Sequence, residues 1–290
     1  MKINQVKNSS MIRLNTKRIP TLPPGSNYLM QAMMDESLNF RQLAQIIEKF
    51  PSIAARLIAL SNSAWSAPIA PITSLEQACS RLGFGVVRST SLALSISSPF
   101  DTTRCPSFDT RHFWCHLLLV ADASTWLAQS VSTQENLPPL TARSAGLLHD
   151  LGLLWLADQV PEETHQAILL AQADPKLSLS ETLTTVVGID YQAAGSILAE
   201  AWKLPEPLLV CMYHKSTSLD STPYREIASV VSLADCLVTA IGKDTPCAVS
   251  DSHIEVLGIK HQDVGNVMQL LYRQKDSVRE LANQLFSYNA

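Results

Sequence analysis

The stretch Ala145-Gly146-Leu147-Leu148-His149-Asp150-Leu151-Gly152 constrains this chain more than any other. Leu147, Leu148, Leu151, Leu153, Leu154 and Trp155 leave it no polar face. A helical segment that is apolar all round belongs in the interior of a domain. Yet an ionisable pair sits in the middle of it. A buried carboxylate left alone costs several kcal/mol, so Asp150 must be paired, metal-bound or protonated. Gly146 and Gly152 bracket the pair and let neighbouring backbone approach closely. The rest of the chain must supply whatever meets His149 and Asp150.

The chain can build an interior around such a segment. It has 290 residues, 46% hydrophobic and 17% charged, which suits one large domain or two intimate ones and excludes disorder. A formal net charge of −4 gives no global pull toward nucleic acid or anionic membranes, and neither is expected as a partner. Cys79, Cys105, Cys115, Cys211, Cys236 and Cys247 form no C-x-x-C pair, so they read as small core residues of a reducing compartment. There is no apolar run of about eighteen residues that would cross a membrane. Met1 to Pro20 is polar and mildly basic, without the apolar core of a secretory signal. A cytoplasmic protein is expected.

Helical periodicity dominates from about residue 20. Tyr28–Met34, Phe40–Phe50, Pro51–Asn62, a segment closed by Gly83, and Phe84–Ile96 read as five short helices. Thr73-Ser74-Leu75-Glu76 has the pattern of a capping box. Pro99 to Phe108 reads as the boundary between two halves. Asp109 is placed to cap a long helix through Trp114 and Trp126 to Ser130. The His-Asp helix comes next, then helices near 162–173, 178–187, 191–202, 205–214 and 223–241, and a tail of one short and one long helix. No strand alternation, hairpin dipeptide or βαβ rhythm is present, so the fold class is all-α. The expected organisation is a lead-in over 1–19, an N-terminal helical half over 20–104, a helical bundle with the His-Asp pair over 105–245, and a helical tail over 246–290. The tail stripe Val264, Val267, Met268, Leu270, Leu271, Val278, Leu281, Leu285 and Phe286 lacks a clean heptad and is expected to pack back on the bundle.

Three other segments carry groups able to meet the pair. His112 and His116 lie four residues apart on one helix face. Asp235 is a carboxylate in the apolar run Val230-Val231-Ser232-Leu233-Ala234-Asp235. His214 closes Leu208-Leu209-Val210-Cys211-Met212-Tyr213-His214. Imidazoles and carboxylates from separate helices can form an open N/O metal site, and such a metal can activate water against a phosphate ester. A hydrogen-bonded structural cluster is the alternative. The five tryptophans read as core; Arg111, Arg143, Lys203 and Lys215 are candidate cations for a phosphate near the site, but read first as solvated charges.

The order His116, His149-Asp150, Asp235 resembles the H…HD…D signature of the HD metal-dependent phosphohydrolase superfamily. With Phe113-Trp114-Cys115-His116, Gly195-Ser196-Ile197-Leu198, Trp202-Lys203-Leu204-Pro205-Glu206, the Ile47–Asn62 segment and Ile72-Thr73-Ser74-Leu75-Glu76-Gln77-Ala78, the chain resembles the HDOD branch over roughly residues 20–240. The resemblance implies an N-terminal helical subdomain packed on an HD-like bundle. It implies a metal site of His116, His149, Asp150 and Asp235, with His214 as a further ligand, for a divalent transition metal (Fe, Mn, Co or Zn) and no organic cofactor. It implies a bacterial regulatory or signal-transduction protein with a protein partner, its site non-catalytic or weakly active. The alternative is a phosphohydrolase acting on a nucleotide or other phosphate ester, and a phosphate-containing small molecule is the corresponding ligand. No catalytic residue is assigned. Tyr191 stands where many relatives have histidine, and Lys215 replaces the second of a His-His pair. Ser216 to Tyr224 lacks the Gly-Tyr-Pro loop of cyclic-dinucleotide phosphodiesterases.

Overall fold

The computed structural model describes residues 19–131, 137–212, 224–243, 245, 254 and 257–286. The lead-in over 1–18 and His214, Lys215 and His253 lie outside the described residues. Among those residues every regular element is a helix. They are α1 (Ser26–Met33), α2 (Phe40–Ile47), α3 (Pro51–Ser61), α4 (Leu75–Ser97), α5 (Thr110–Ser130), α6 (Pro139–Leu148), α7 (Leu151–Gln159), α8 (Pro161–Ala173), α9 (Leu179–Val186), α10 (Tyr191–Ala201), α11 (Glu206–Leu209), α12 (Arg225–Lys243) and α13 (His261–Phe286). None of them is long and apolar enough to cross a membrane.

Local chemistry sets the helix ends. Pro51, Pro139 and Pro161 begin helices at first-turn positions, where a missing N–H costs nothing. The Asp109 carboxylate accepts from the Arg111 and His112 amides and fixes the start of α5, as its sequence position predicts. The box expected at Thr73–Glu76 is instead a single cap, with Ser74 Oγ accepting from the Gln77 amide. Full reciprocal boxes close α2 (Asn39 with Gln42) and α9 (Ser178 with Glu181). α4 bends at Gly83, where φ is 80°, which recovers the two expected short helices as one bent element.

α1, α2 and α3 pack on α4, and α4 in turn meets α5 and α6. α5 is the central rod, flanked by α6, α12 and α13. Its Trp114 is fully buried and stacks on Phe286 of α13 at 4.9 Å. The tail therefore packs back on the bundle as its apolar stripe predicts. It also reaches the first half of the chain, since Arg56 donates to the Leu285 carbonyl and the Trp65 indole to the Ser277 carbonyl. Arg143 is not a solvated charge. It pairs with Asp122 of α5 and donates to Ser89 Oγ of α4 and Thr125 Oγ1 of α5, with 11% of its side chain exposed. The opposed carboxylate makes that near-burial tolerable.

The His-Asp segment is not one continuous helix. α6 ends at Leu148 and α7 begins at Leu151, with Asp150 at φ −107°, ψ 17° between them. Two glycines let this junction sit deep. A Cβ on Gly146 would lie 2.7 Å from Ser124 Oγ and 3.1 Å from the Val120 carbonyl, so glycine brings α6 against α5. A Cβ on Gly152 would overlap the Tyr191 carbonyl and the Gly195 amide nitrogen and come within 2.9 Å of Gly195 Cα. Every one of those neighbours is backbone, which cannot swing away. The contact is asymmetric, because a Cβ on Gly195 would meet Gly152 only at 3.4 and 3.7 Å, ordinary packing. Gly152→Ala should therefore destabilise the fold by about 3 kcal/mol or more through overpacking. Gly195→Ala, which gains helix propensity, should stay within about 1 kcal/mol of the wild type. Denaturant unfolding of the two variants checks this; equal losses would contradict the packing described.

Candidate metal centre

Four groups converge where α5, α12 and the α6–α7 junction meet. His116 comes from α5, Asp235 from α12, and His149 and Asp150 from the junction. One potential ligand atom from each lies within 4.8 Å of the other three. Neighbouring residues on an unbroken helix point about 100° apart and do not face one another. The break at Asp150 overcomes this and aims both members of the pair at one point, with His149 Nε2 3.4 Å from Asp150 Oδ2. His149 Nε2 is also 3.7 Å from Asp235 Oδ1, and His116 Nε2 is 2.8 Å from that same oxygen.

The tautomer of His149 follows from its inner contact. Its Nδ1 lies 2.8 Å from the Gly146 carbonyl, which can only accept, so Nδ1 carries the proton. In the neutral ring the Nε2 lone pair then faces two carboxylate oxygens. His149 is 3% exposed and the Asp235 side chain 10%, so water screens this little. Such an arrangement calls for a cation at its centre, either a proton on Nε2 or a metal ion. Fixing of the far imidazole nitrogen by a backbone carbonyl is also how metal-binding histidines are commonly oriented.

The donor set fits one divalent ion. Two carboxylates bring two negative charges, which a divalent cation cancels. Two donors bound at about 2.1 Å lie about 3.0 Å apart when adjacent and about 4.2 Å when opposite in an octahedral site. The separations here run from 2.8 Å between His116 Nε2 and Asp235 Oδ1 through 3.4 and 3.7 Å, with all four donors within 4.8 Å of one another, close to that range. Two imidazoles and two carboxylates suit Mn, Fe, Co or Zn better than calcium or magnesium, which prefer all-oxygen shells.

The cluster opens into a cleft of about 1070 Å³. His116, Asp150 and Asp235 reach it, and His112, one turn before His116, stands exposed at its edge. Cys115 and Cys236 line it beside two of the four groups. Burial pushes the Cys115 thiol up, against the opposing pull of Arg279. Tyr191 also lines the cleft.

A bundle of short helices with two imidazoles and two carboxylates drawn from three separate places is the architecture of HD-type proteins. The HDOD domain model matches residues 19–218, and the chain belongs to the HDOD family. Asp235 lies beyond the matched segment. An uncharacterised protein of Treponema pallidum (strain Nichols) is 21% identical over 231 residues, 79% of this chain and 44% of that protein, so this chain spans less than half its length. Among solved structures, a protein of Marinobacter aquaeolei VT8 provisionally named for signal transduction superposes with a TM-score of 0.80 at 21% identity, over 97% of this chain and 64% of that one. An HDOD domain protein of unknown function from Geobacter sulfurreducens gives 0.69 at 21% identity, over 92% of this chain and 93% of that one. A protein of Shewanella amazonensis SB2B provisionally named a phosphohydrolase gives 0.68 at 22% identity, over 96% and 99%. At these identities the likeness establishes the fold.

Of the five expected ligands, four are together and His214 falls outside the described residues. Lys243, Lys275 and Arg279, which also line the cleft, were not among the candidate cations from sequence. The signal available was the i, i+4 spacing of Lys275 and Arg279, which puts both on one face of α13.

Metal and hydrogen-bonded cluster give different responses to chelator. With a bound metal, wild-type protein should melt lower after EDTA, by an amount equivalent to a few kcal/mol when the ion is well above its dissociation constant. Asp150→Asn and Asp150→Ala should both melt low and respond to EDTA no further. A hydrogen-bonded cluster instead predicts a wild type indifferent to EDTA, an Asn variant near wild type, and a loss of roughly 1–3 kcal/mol for Ala alone.

Proposed function

We propose that the chain is a metal-binding HDOD module of bacterial signal transduction. In this reading His116, His149, Asp150 and Asp235 hold one divalent transition metal (Fe, Mn, Co or Zn), and the bundle presents it to a cleft without supporting fast turnover. The observation that carries the proposal is the convergence of these four groups around a His149 ring turned outward by the Gly146 carbonyl. Asp150 and Asp235 balance the charge of the ion, and the two imidazoles set its coordination. When bound, the metal supplies a Lewis acid at the cleft floor.

A regulatory role is supported by what surrounds those four groups. Tyr191, on the cleft wall, is not a metal ligand of the usual kind, although many relatives have histidine at the corresponding position. Lys215 and the segment Ser216–Tyr224 depart from the hydrolytic pattern in the same direction. The signalling name given to the Marinobacter aquaeolei protein agrees with this reading. A protein partner is the expected output, with neither nucleic acid nor a membrane involved, as the net charge of −4 suggests. His214 remains the candidate for a fifth ligand.

The second reading, a metal-dependent phosphohydrolase of a nucleotide or other phosphate ester, is favoured by one observation: the cleft opens directly onto the cluster. Elemental analysis of protein purified without added metal, followed by a phosphatase panel with Mn²⁺, Fe²⁺ or Co²⁺, separates the two. The proposal predicts about one transition metal per chain and no turnover above a His149→Ala control. Robust turnover that His149→Ala abolishes would favour the enzyme, and a metal-free protein would remove both.

A further inference from the structure

Part of the lining of the cleft carries a charge opposite to that of the chain as a whole. Lys243 at the end of α12 and Lys275 and Arg279 of α13 line it, and among the described residues the carboxylates that line the cleft are Asp150 and Asp235 of the cluster. Three cations lining one cleft of a chain with net charge −4 are a local reversal of sign. Lys275 and Arg279 are one turn apart on a single helix face, so they can act on one anionic group together. Lys275 Nζ lies 5.1 Å from the Tyr272 ring centroid, a contact that holds the side chain without neutralising it.

Arg279 does have an acidic neighbour, Asp276, at 2.9 Å. Their side chains are 63% and 76% exposed, and a pair so open to solvent is worth little. It leaves most of the guanidinium donors available. A planar fork with a second cation one turn away is the arrangement that binds a phosphate dianion well. A cleft of about 1070 Å³ has room for the rest of a molecule the size of a mononucleotide.

We infer that the cleft binds a phosphomonoester of nucleotide size, with its phosphate held by Lys275 and Arg279 of the C-terminal helix. The inference deepens the metal-centre reading and rests on it for the inner side of the pocket. The anchoring residues themselves lie beyond residue 218, where the family match ends. Ligand preference is thus set by a helix outside the matched HDOD segment.

Calorimetric titration of the full chain with adenosine monophosphate tests this, with metal content measured on the same samples. Wild type should bind, and adenosine, which lacks the phosphate, should not. Lys275→Gln/Arg279→Gln should weaken binding about tenfold or more, the loss expected for removing charge-assisted contacts. Arg273→Gln removes one charge from an exposed position of the same helix that does not line the cleft, and should change affinity by no more than about twofold. Circular dichroism of each variant checks that the helix is kept. No binding by wild type, binding of adenosine as tight as of the monophosphate, or an unchanged affinity in the double variant would each overturn the inference. If the samples hold no metal but the double variant still loses affinity, the metal reading fails and the anion site stands. If metal is bound while the double variant binds as wild type does, the reverse is true.

Discussion

Two carboxylates and an outward-turned imidazole meet at the floor of this cleft, and much of the surrounding structure serves to hold them there. Asp150 and Asp235 approach His149 Nε2 to 3.4 and 3.7 Å, in surroundings where water does little screening. Left without a cation, like charges so placed repel one another. The His116 imidazole, 2.8 Å from Asp235 Oδ1, meets one of the two carboxylates, and a proton or a metal ion supplies the balancing charge. That requirement connects the geometry of the site to the stability of the bundle, since anything that binds the folded state alone stabilises it.

Close backbone approach makes the convergence possible. Glycine at 146 lets α6 settle against α5, and glycine at 152 lets α7 meet α10 with no side chain between them. The break at Asp150 then turns two consecutive side chains toward the same point. α13 adds a different contribution. It stacks Phe286 on Trp114 of the central helix, accepts from Arg56 and Trp65 of the first half, and lays Lys275 and Arg279 along the cleft. One helix thus touches the core, the N-terminal helices and the site wall.

The all-α class was legible because helical spacing runs through nearly the whole chain, and the clustered groups because charged residues in apolar helices have few bland explanations. His149, Asp150 and Asp235 stand out for that reason, and His116 follows from the resemblance to HDOD proteins. The break between Leu148 and Leu151 was not legible, since a run of leucines around His-Asp has no proline or cap to mark an end. The reciprocal caps at Asn39 and Ser178 were present in the sequence as Asn-x-x-Gln and Ser-x-x-Glu, while Thr73–Glu76 has the same spacing but the helix starts at Leu75, so that Ser74 rather than Thr73 is the cap. Arg143 shows the limit for single charges: only the packing of α4, α5 and α6 brings Asp122, Ser89 and Thr125 to it. Lys275 and Arg279 were hidden in the same way, because a tail helix carries no mark of which cleft it will border.

The most direct test of the metal centre is anomalous diffraction from crystals grown with manganese, collected on both sides of its absorption edge. The structure predicts one strong manganese peak bounded by His116 Nε2, His149 Nε2 and carboxylate oxygens of Asp150 and Asp235, at about 2.1 Å from each nitrogen. Electron density showing the direct His116–Asp235 hydrogen bond intact, with no anomalous peak between the four side chains, would contradict it.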